Sequence, residues 1–128
     1  MSTTVGQFCL NVTDLERSIR FYEDLIGVPV RRRVTGDGFE EVILAAGEGG
    51  GRLQLAHHHD QTGPIEHGNA LWKIYFDVDD VDDVHRRVVA AGYEAEGPPQ
   101  RLEQWPVTIA FVFDPDGYRI ELLQRHEA

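Results

Sequence analysis

Four groups of side chains in this sequence could do chemistry. The first is the run His57-His58-His59-Asp60, since imidazole is a common transition-metal ligand. Three consecutive side chains cannot converge on one ion from a regular strand, so the run reads as a polar linker with adventitious metal affinity. The second is Cys9, the only cysteine, a nucleophile if a cation favours its thiolate and otherwise a small space-filling residue. The third is Arg31-Arg32-Arg33, a candidate grip for phosphate or carboxylate. It falls where a strand should start and reads better as a solvated strand edge. The fourth is a set of polar residues alternating with apolar ones: Gln7, Cys9 and Asn11; Arg52 and Gln54; Lys73, Tyr75 and Asp77; Arg119 and Glu121. A polar face repeated on strand after strand implies a ligand or water. Phe8, Leu10, Ile74, Phe76, Ile120 and Leu122, of opposite parity, then form the core. His67 reads as a loop residue, His85 as the solvent side of a helix and His126 as tail. Trp72 has core parity but stands at a strand start, where it lines a rim. Trp105, within Gln104-Trp105-Pro106, suits either a lid over a flat or apolar molecule or the burial of a loop.

These side chains need strands to hold them. Residues 5–12 alternate as a strand, Thr13 or Asp14 can cap a helix, and Leu15, Ile19, Tyr22 and Leu25-Ile26 recur at helical spacing before Gly27 stops it. Strand-like runs follow at 28–34, 39–46 and 52–56, separated by glycine-rich turns. The order then returns. A strand over Leu71 to Val78 leads into a helix from Asp79-Asp80-Val81 to Gly92. Strands are expected at 93–96, 107–113 and 118–123, the last two joined by the turn Asp114-Pro115-Asp116-Gly117. Val12 matches Val78 and Asp14 matches Asp80, each 66 residues apart (78 − 12, 80 − 14), so the chain is an internal repeat. The expected fold is α+β: two tandem βαβββ units forming a cup-shaped mixed sheet with helices outside. A single domain is expected over 1–128, with unit one at about 5–56, a linker at about 57–69 and unit two at about 70–124. One helix covers one sheet face, so paired halves leave a concave face for a small molecule.

Composition narrows the partners. The 128 residues carry 12 basic and 22 acidic side chains, a net charge of −10, which repels nucleic acid and anionic membrane alike. No apolar run approaches the ~20 residues that span a bilayer. Met1-Ser2-Thr3-Thr4 shows neither a charged nor an apolar leader segment, and a lone cysteine forms no internal disulfide. A cytoplasmic protein is expected.

Two motifs carry a family resemblance. Val12-Thr13-Asp14-Leu15-Glu16-Arg17-Ser18-Ile19-Arg20-Phe21-Tyr22, continuing to Gly27, resembles the opening of glyoxalase I and its relatives in the vicinal oxygen chelate superfamily, which includes bleomycin-resistance proteins and extradiol dioxygenases. Phe111-Val112-Phe113-Asp114-Pro115-Asp116-Gly117-Tyr118-Arg119-Ile120-Glu121-Leu122 resembles their closing motif. The resemblance implies a metal held by four side chains, from the first and fourth strands of each unit. Those positions fall on Gln7, Gln54, Lys73 and Glu121. Gln7 and Glu121 fit the family pattern, whereas Gln54 stands for a usual Glu and Lys73 for a His. Ammonium has donors and no acceptor, so it must lose a proton before it can bind a metal. No metal cofactor is therefore expected, and Lys73 reads instead as a built-in cation facing Glu121. The resemblance implies a homodimer binding a small organic molecule; Gln7 and Gln54 are expected as ligand contacts, strand parity adds Asn11, Arg52, Tyr75 and Arg119, and the loop position adds Trp105. Two alternatives stay open. One is a lyase or isomerase in which Glu121 moves a proton and Lys73 steadies an oxyanion. The other is a divalent-metal glyoxalase or dioxygenase with altered ligands.

Overall fold

A computed structural model describes residues 2–47 and 50–127, and the chain divides into two compact units after Ile65. Unit one runs β1 (Gln7–Asn11), α1 (Leu15–Ile19), a π-helical continuation over Arg20–Ile26, then β2 (Val30–Gly36), β3 (Phe39–Leu44) and β4 (Arg52–His58). Its sheet has the order β1-β4-β3-β2, with β1 parallel to β4 and the remaining neighbours antiparallel. Asp14 starts the helix, because its carboxylate accepts from the Arg17 amide at 3.1 Å. Gly27 ends it at φ 100°, a left-handed conformation that suits glycine. The wider π winding lets the amides of Gly27 and Val28 both reach the Tyr22 carbonyl at 2.9 Å. Leu15, Ile19, Phe21, Tyr22 and Ile26 are buried with Val42, Leu44 and Leu55 of the sheet. The triple arginine lies on β2, an edge strand, and is exposed as expected.

Unit two repeats the plan with β5 (Ile74–Asp77), α2 (Val81–Ala90), β6 (Gln100–Arg101), β7 (Val107–Phe113) and β8 (Arg119–Arg125), in the order β5-β8-β7-β6. Asp80 caps α2 as Asp14 caps α1. Val81, Val84 and Val88 of α2 lie in the core with Val112, Ile120 and Leu122. In the closing turn one Asp114 carboxylate oxygen accepts the amides of Asp116 and Tyr118, both at 2.9 Å, with Gly117 at φ 85°.

Several expectations need correction. The strand at 93–96 reduces to one bridge, Ala95 to Val112, before Gly97-Pro98-Pro99 interrupts it; neither proline has an amide hydrogen for a ladder. The regular edge strand is β6, which sequence reading missed. His57 and His58 belong to β4 and not to a linker. Lys73 precedes β5, which starts at Ile74 and not at Leu71. Phe8 has core parity but is 67% exposed, because the edge strand β1 leaves its end beyond the cover of α1, while Ile74 and Phe76 are only half-buried.

Candidate functional site

The four positions singled out above form two pairs, one in each unit. In unit one the parallel register sets Gln7 opposite Arg52 and Cys9 opposite Gln54. Arg52 Nε donates to Gln7 Oε1 at 3.3 Å, Gln7 Nε2 donates to Gln54 Oε1 at 2.8 Å, and Gln54 Nε2 donates to a carboxylate oxygen of Glu41. This chain runs one way, from a guanidinium through two amides to a carboxylate. Glu41 escaped sequence reading, although it shares the parity of Ile43, the β3 residue that faces Gln54 across the ladder. Cys9 lies beside it. Burial of the thiol, and then the Glu41 charge, raise its pKa, so thiolate chemistry is disfavoured. Asn11 is committed to His58, whose Nε2 lies 3.1 Å from its Oδ1.

In unit two Lys73 Nζ donates to Glu121 Oε1 at 2.7 Å, with side chains only 11% and 7% exposed. The ammonium also lies 4.0 Å from the centre of the Trp72 ring, 4.8 Å from that of Tyr75 and 5.4 Å from that of Phe111. Three aromatic faces and one carboxylate thus enclose it, an arrangement that attracts a cation through the ring quadrupoles. The hydrogen bond to Glu121, then that to Tyr75, hold its pKa above the ordinary lysine value. Trp72 is 74% exposed, with one ring face against the ammonium. Phe111, overlooked as a site residue, faces Glu121 across the β7–β8 ladder.

The remaining expected contacts divide. Arg119 makes a two-pronged ion pair with Glu96 at 2.9 and 2.8 Å, and stacks 3.9 Å from the centre of the Phe111 ring, so it braces the aromatic wall. Asp77 stays exposed beside Arg125. Tyr75, Trp105 and Glu121 do come together, lining one cleft of about 430 Å³ with Leu102, Ile109 and Leu123. That volume suits a small organic molecule. His126, read as tail, reaches this cleft and holds Thr108 Oγ1 at 2.7 Å.

The residues at the family's metal positions do not fit a divalent ion. Both amide oxygens of the glutamine pair already accept hydrogen bonds from within unit one. In unit two the histidine position holds a protonated amine that occupies Oε1 of the carboxylate. A metal would have to displace two satisfied amides and deprotonate a lysine whose surroundings favour its charge.

A βαβββ repeat closed by an Asp-Pro-Asp-Gly hairpin, with paired polar positions on or beside the first and fourth strands of each unit, defines a glyoxalase-type fold. Residues 4–122 match the model of the Glyoxalase/Bleomycin resistance protein/Dioxygenase superfamily, and the chain belongs to it. It is 32% identical over 123 residues to a probable lactoylglutathione lyase of Vibrio cholerae, covering 93% of this chain and 88% of the relative. Among solved structures it resembles a trypanothione-dependent glyoxalase I of Leishmania major, with a TM-score of 0.82, 29% identity and coverage of 96% and 87%. An antibiotic binding protein from Streptomyces sp. CB03234 shares the fold at a TM-score of 0.73 and 25% identity, with 98% of each chain covered.

Proposed function

We propose that this chain is a glyoxalase-family protein that binds a small organic molecule without a metal, Lys73 supplying the positive charge that a metal would bring. The observation that carries this reading is the enclosed ion pair of Lys73 and Glu121 at 2.7 Å. A fixed ammonium neutralises the carboxylate without a cofactor, and the adjoining cleft offers Tyr75 and Trp105 as flat apolar walls. The existence of an antibiotic binding protein on this fold supports binding as a function in itself. The relatives named lactoylglutathione lyase supply the contrasting reading. A lyase or isomerase in which Glu121 moves a proton has one observation in its favour, that Glu121 lines the cleft; the grip of Lys73 on the same carboxylate opposes it. A homodimer fits the exposed Val5 and the exposed Phe8 of β1, an edge strand with apolar surface to cover.

The test compares untagged wild type with Glu121→Gln. After chelation and re-exposure to nickel or zinc, both should hold the same amount of metal, and wild type should show no lactoylglutathione lyase activity. An equivalent of metal that is lost in Glu121→Gln, together with metal-dependent turnover, would overturn the reading.

A further inference from the structure

The His57-His58-His59 run belongs to neither half-site, and its place in the fold changes its meaning. β4 carries His57 and His58, and pairing with β3 continues past its end, because the His59 amide donates to the Gly38 carbonyl at 2.8 Å. Alternation then sets His57 and His59 on one face and His58 on the other. His58 is tied to Asn11 on the face that carries Gln54. His57 sits directly across the ladder from Glu40. The His57 and His59 ring centres are 6.0 Å apart, and His59 Nε2 lies 3.9 Å from a Glu40 carboxylate oxygen. His57 Nδ1 is 3.1 Å from the Val12 carbonyl oxygen. A carbonyl only accepts, so Nδ1 is the donor and Nε2 is the nitrogen left to face a metal, the orientation that a carbonyl gives a metal-ligating imidazole.

We infer that His57, His59 and Glu40 form a binding site for a borderline divalent cation, Zn²⁺ in the first instance, bridging the β3–β4 hairpin. Two imidazoles and one carboxylate are a zinc donor set, and water can complete the tetrahedron. Among the described residues no group of three His, Cys, Asp or Glu side chains is arranged to hold a metal ion as it stands, this one included. Closing the site requires rotation of His59 and Glu40, whose side chains are 51% and 48% exposed, while the Val12 carbonyl holds His57 in place. None of the family's metal positions takes part.

Calorimetric titration of the untagged full chain with Zn²⁺ tests this, alongside His57→Ala, His58→Ala, His59→Ala and Glu40→Gln. Wild type should bind one equivalent. His57→Ala and His59→Ala should each weaken binding by at least about tenfold, since loss of an outer-shell partner alone costs that much. Glu40→Gln should weaken it less, and His58→Ala should stay within about twofold, because its ring faces the other side. An equal loss on removing any of the three histidines would mean adventitious binding by a flexible run and would overturn the inference. Absence of Zn²⁺ binding, or binding unchanged in His59→Ala, would do the same. The exposed positions His59 and Glu40 keep the test decisive if His57→Ala fails to fold.

Discussion

The two units share one topology and treat the same positions in opposite ways. Lys73 and Glu121 of unit two stand where unit one has Gln7 and Gln54 (73 − 7 = 66, 121 − 54 = 67). At the same offset the Trp72 position corresponds to Gly6 and the Tyr75 position to Cys9. Phe111 faces Glu121 across its ladder as Ile43 faces Gln54. Each aromatic wall around the ammonium therefore has a small or aliphatic counterpart in unit one, which holds neutral amides instead. Lys73 is consequently more than a lost histidine: the surroundings of these matched positions are built for a cation in one unit and for an amide relay in the other. The same contrast extends to the adjoining clefts. That of unit one, about 440 Å³ beside Gln7 and Arg52, is bordered by Gly6, Gly50 and Gly51 with Phe8 as its aromatic residue, whereas that of unit two is walled by Tyr75 and Trp105.

Removing the cation should break this contrast most severely. Lys73→Met leaves Glu121 buried without its partner, which costs about 3 kcal/mol, the low end for a buried pair because Lys73 stands just before the edge strand β5. Urea denaturation at pH 7 measures it. The double change Lys73→Met with Glu121→Leu should recover most of the loss, and simple additivity of the two single losses would show that the side chains do not interact. The pair also fixes a pH dependence. The folded-state pKa of Lys73 is raised, so its contribution is fully present below the ordinary lysine value of about 10.4 and is lost as pH rises through the raised value. As pH rises from neutrality, wild type should therefore keep its stability advantage over Lys73→Met until above about pH 10.4. An advantage that vanished near neutrality would contradict an ammonium at this site.

Smaller effects should separate the aromatic wall from the amide relay. Trp72→Ala removes the nearest ring face, and because Trp72 is largely exposed the loss should be about 0.5–1 kcal/mol. Gln7→Ala in unit one removes two exposed hydrogen bonds, one to Gln54 and a longer one from Arg52 at 3.3 Å, and should cost about 0.5 kcal/mol or less. Thermal unfolding of the two variants side by side reads the difference. Equal costs would mean that the rings contribute no cation binding beyond ordinary contact.

Much of this site was legible in the sequence, because strand parity and the 66-residue repeat are local signals. They set Gln7, Gln54, Lys73, Tyr75 and Glu121 on one polar face, the family resemblance singled out four of them and set Lys73 against Glu121, and the structure adds the pairing of Gln7 with Gln54. Partners drawn from β3 and β7 were not legible. Glu41 and Phe111 reach their sites only through cross-strand register, which turns and bulges set and a single strand's pattern does not encode. Arg119 had the right face, yet its bond to Glu96 depends on where the chain runs after α2, and there the sequence suggested a strand that prolines interrupt. Phe8 failed for a related reason. Parity states which way a side chain points, and only the sheet order shows that β1 is an edge.

The same repeat yields a prediction about the helices. Ser18 of α1 and Val84 of α2 stand 66 residues apart (84 − 18), both buried, one polar and one apolar. The Ser18 hydroxyl has no hydrogen-bond partner among the described residues, although its backbone amide bonds Asp14 in the ordinary helical way. A buried hydroxyl without a partner costs desolvation energy, and serine is a weaker helix former than alanine. Ser18→Ala should therefore be neutral or stabilising by up to about 1 kcal/mol, against the usual rule that core substitutions destabilise. Val84→Ala, at the matched position, removes packed methyl groups and should cost about 1–3 kcal/mol. Urea midpoints with unchanged slopes measure both changes on one scale. A loss above about 1 kcal/mol in Ser18→Ala would show that the hydroxyl bonds a helix carbonyl after all. The two helices would then be more alike than their sequences suggest, and the contrast between the units would be confined to the sheet faces.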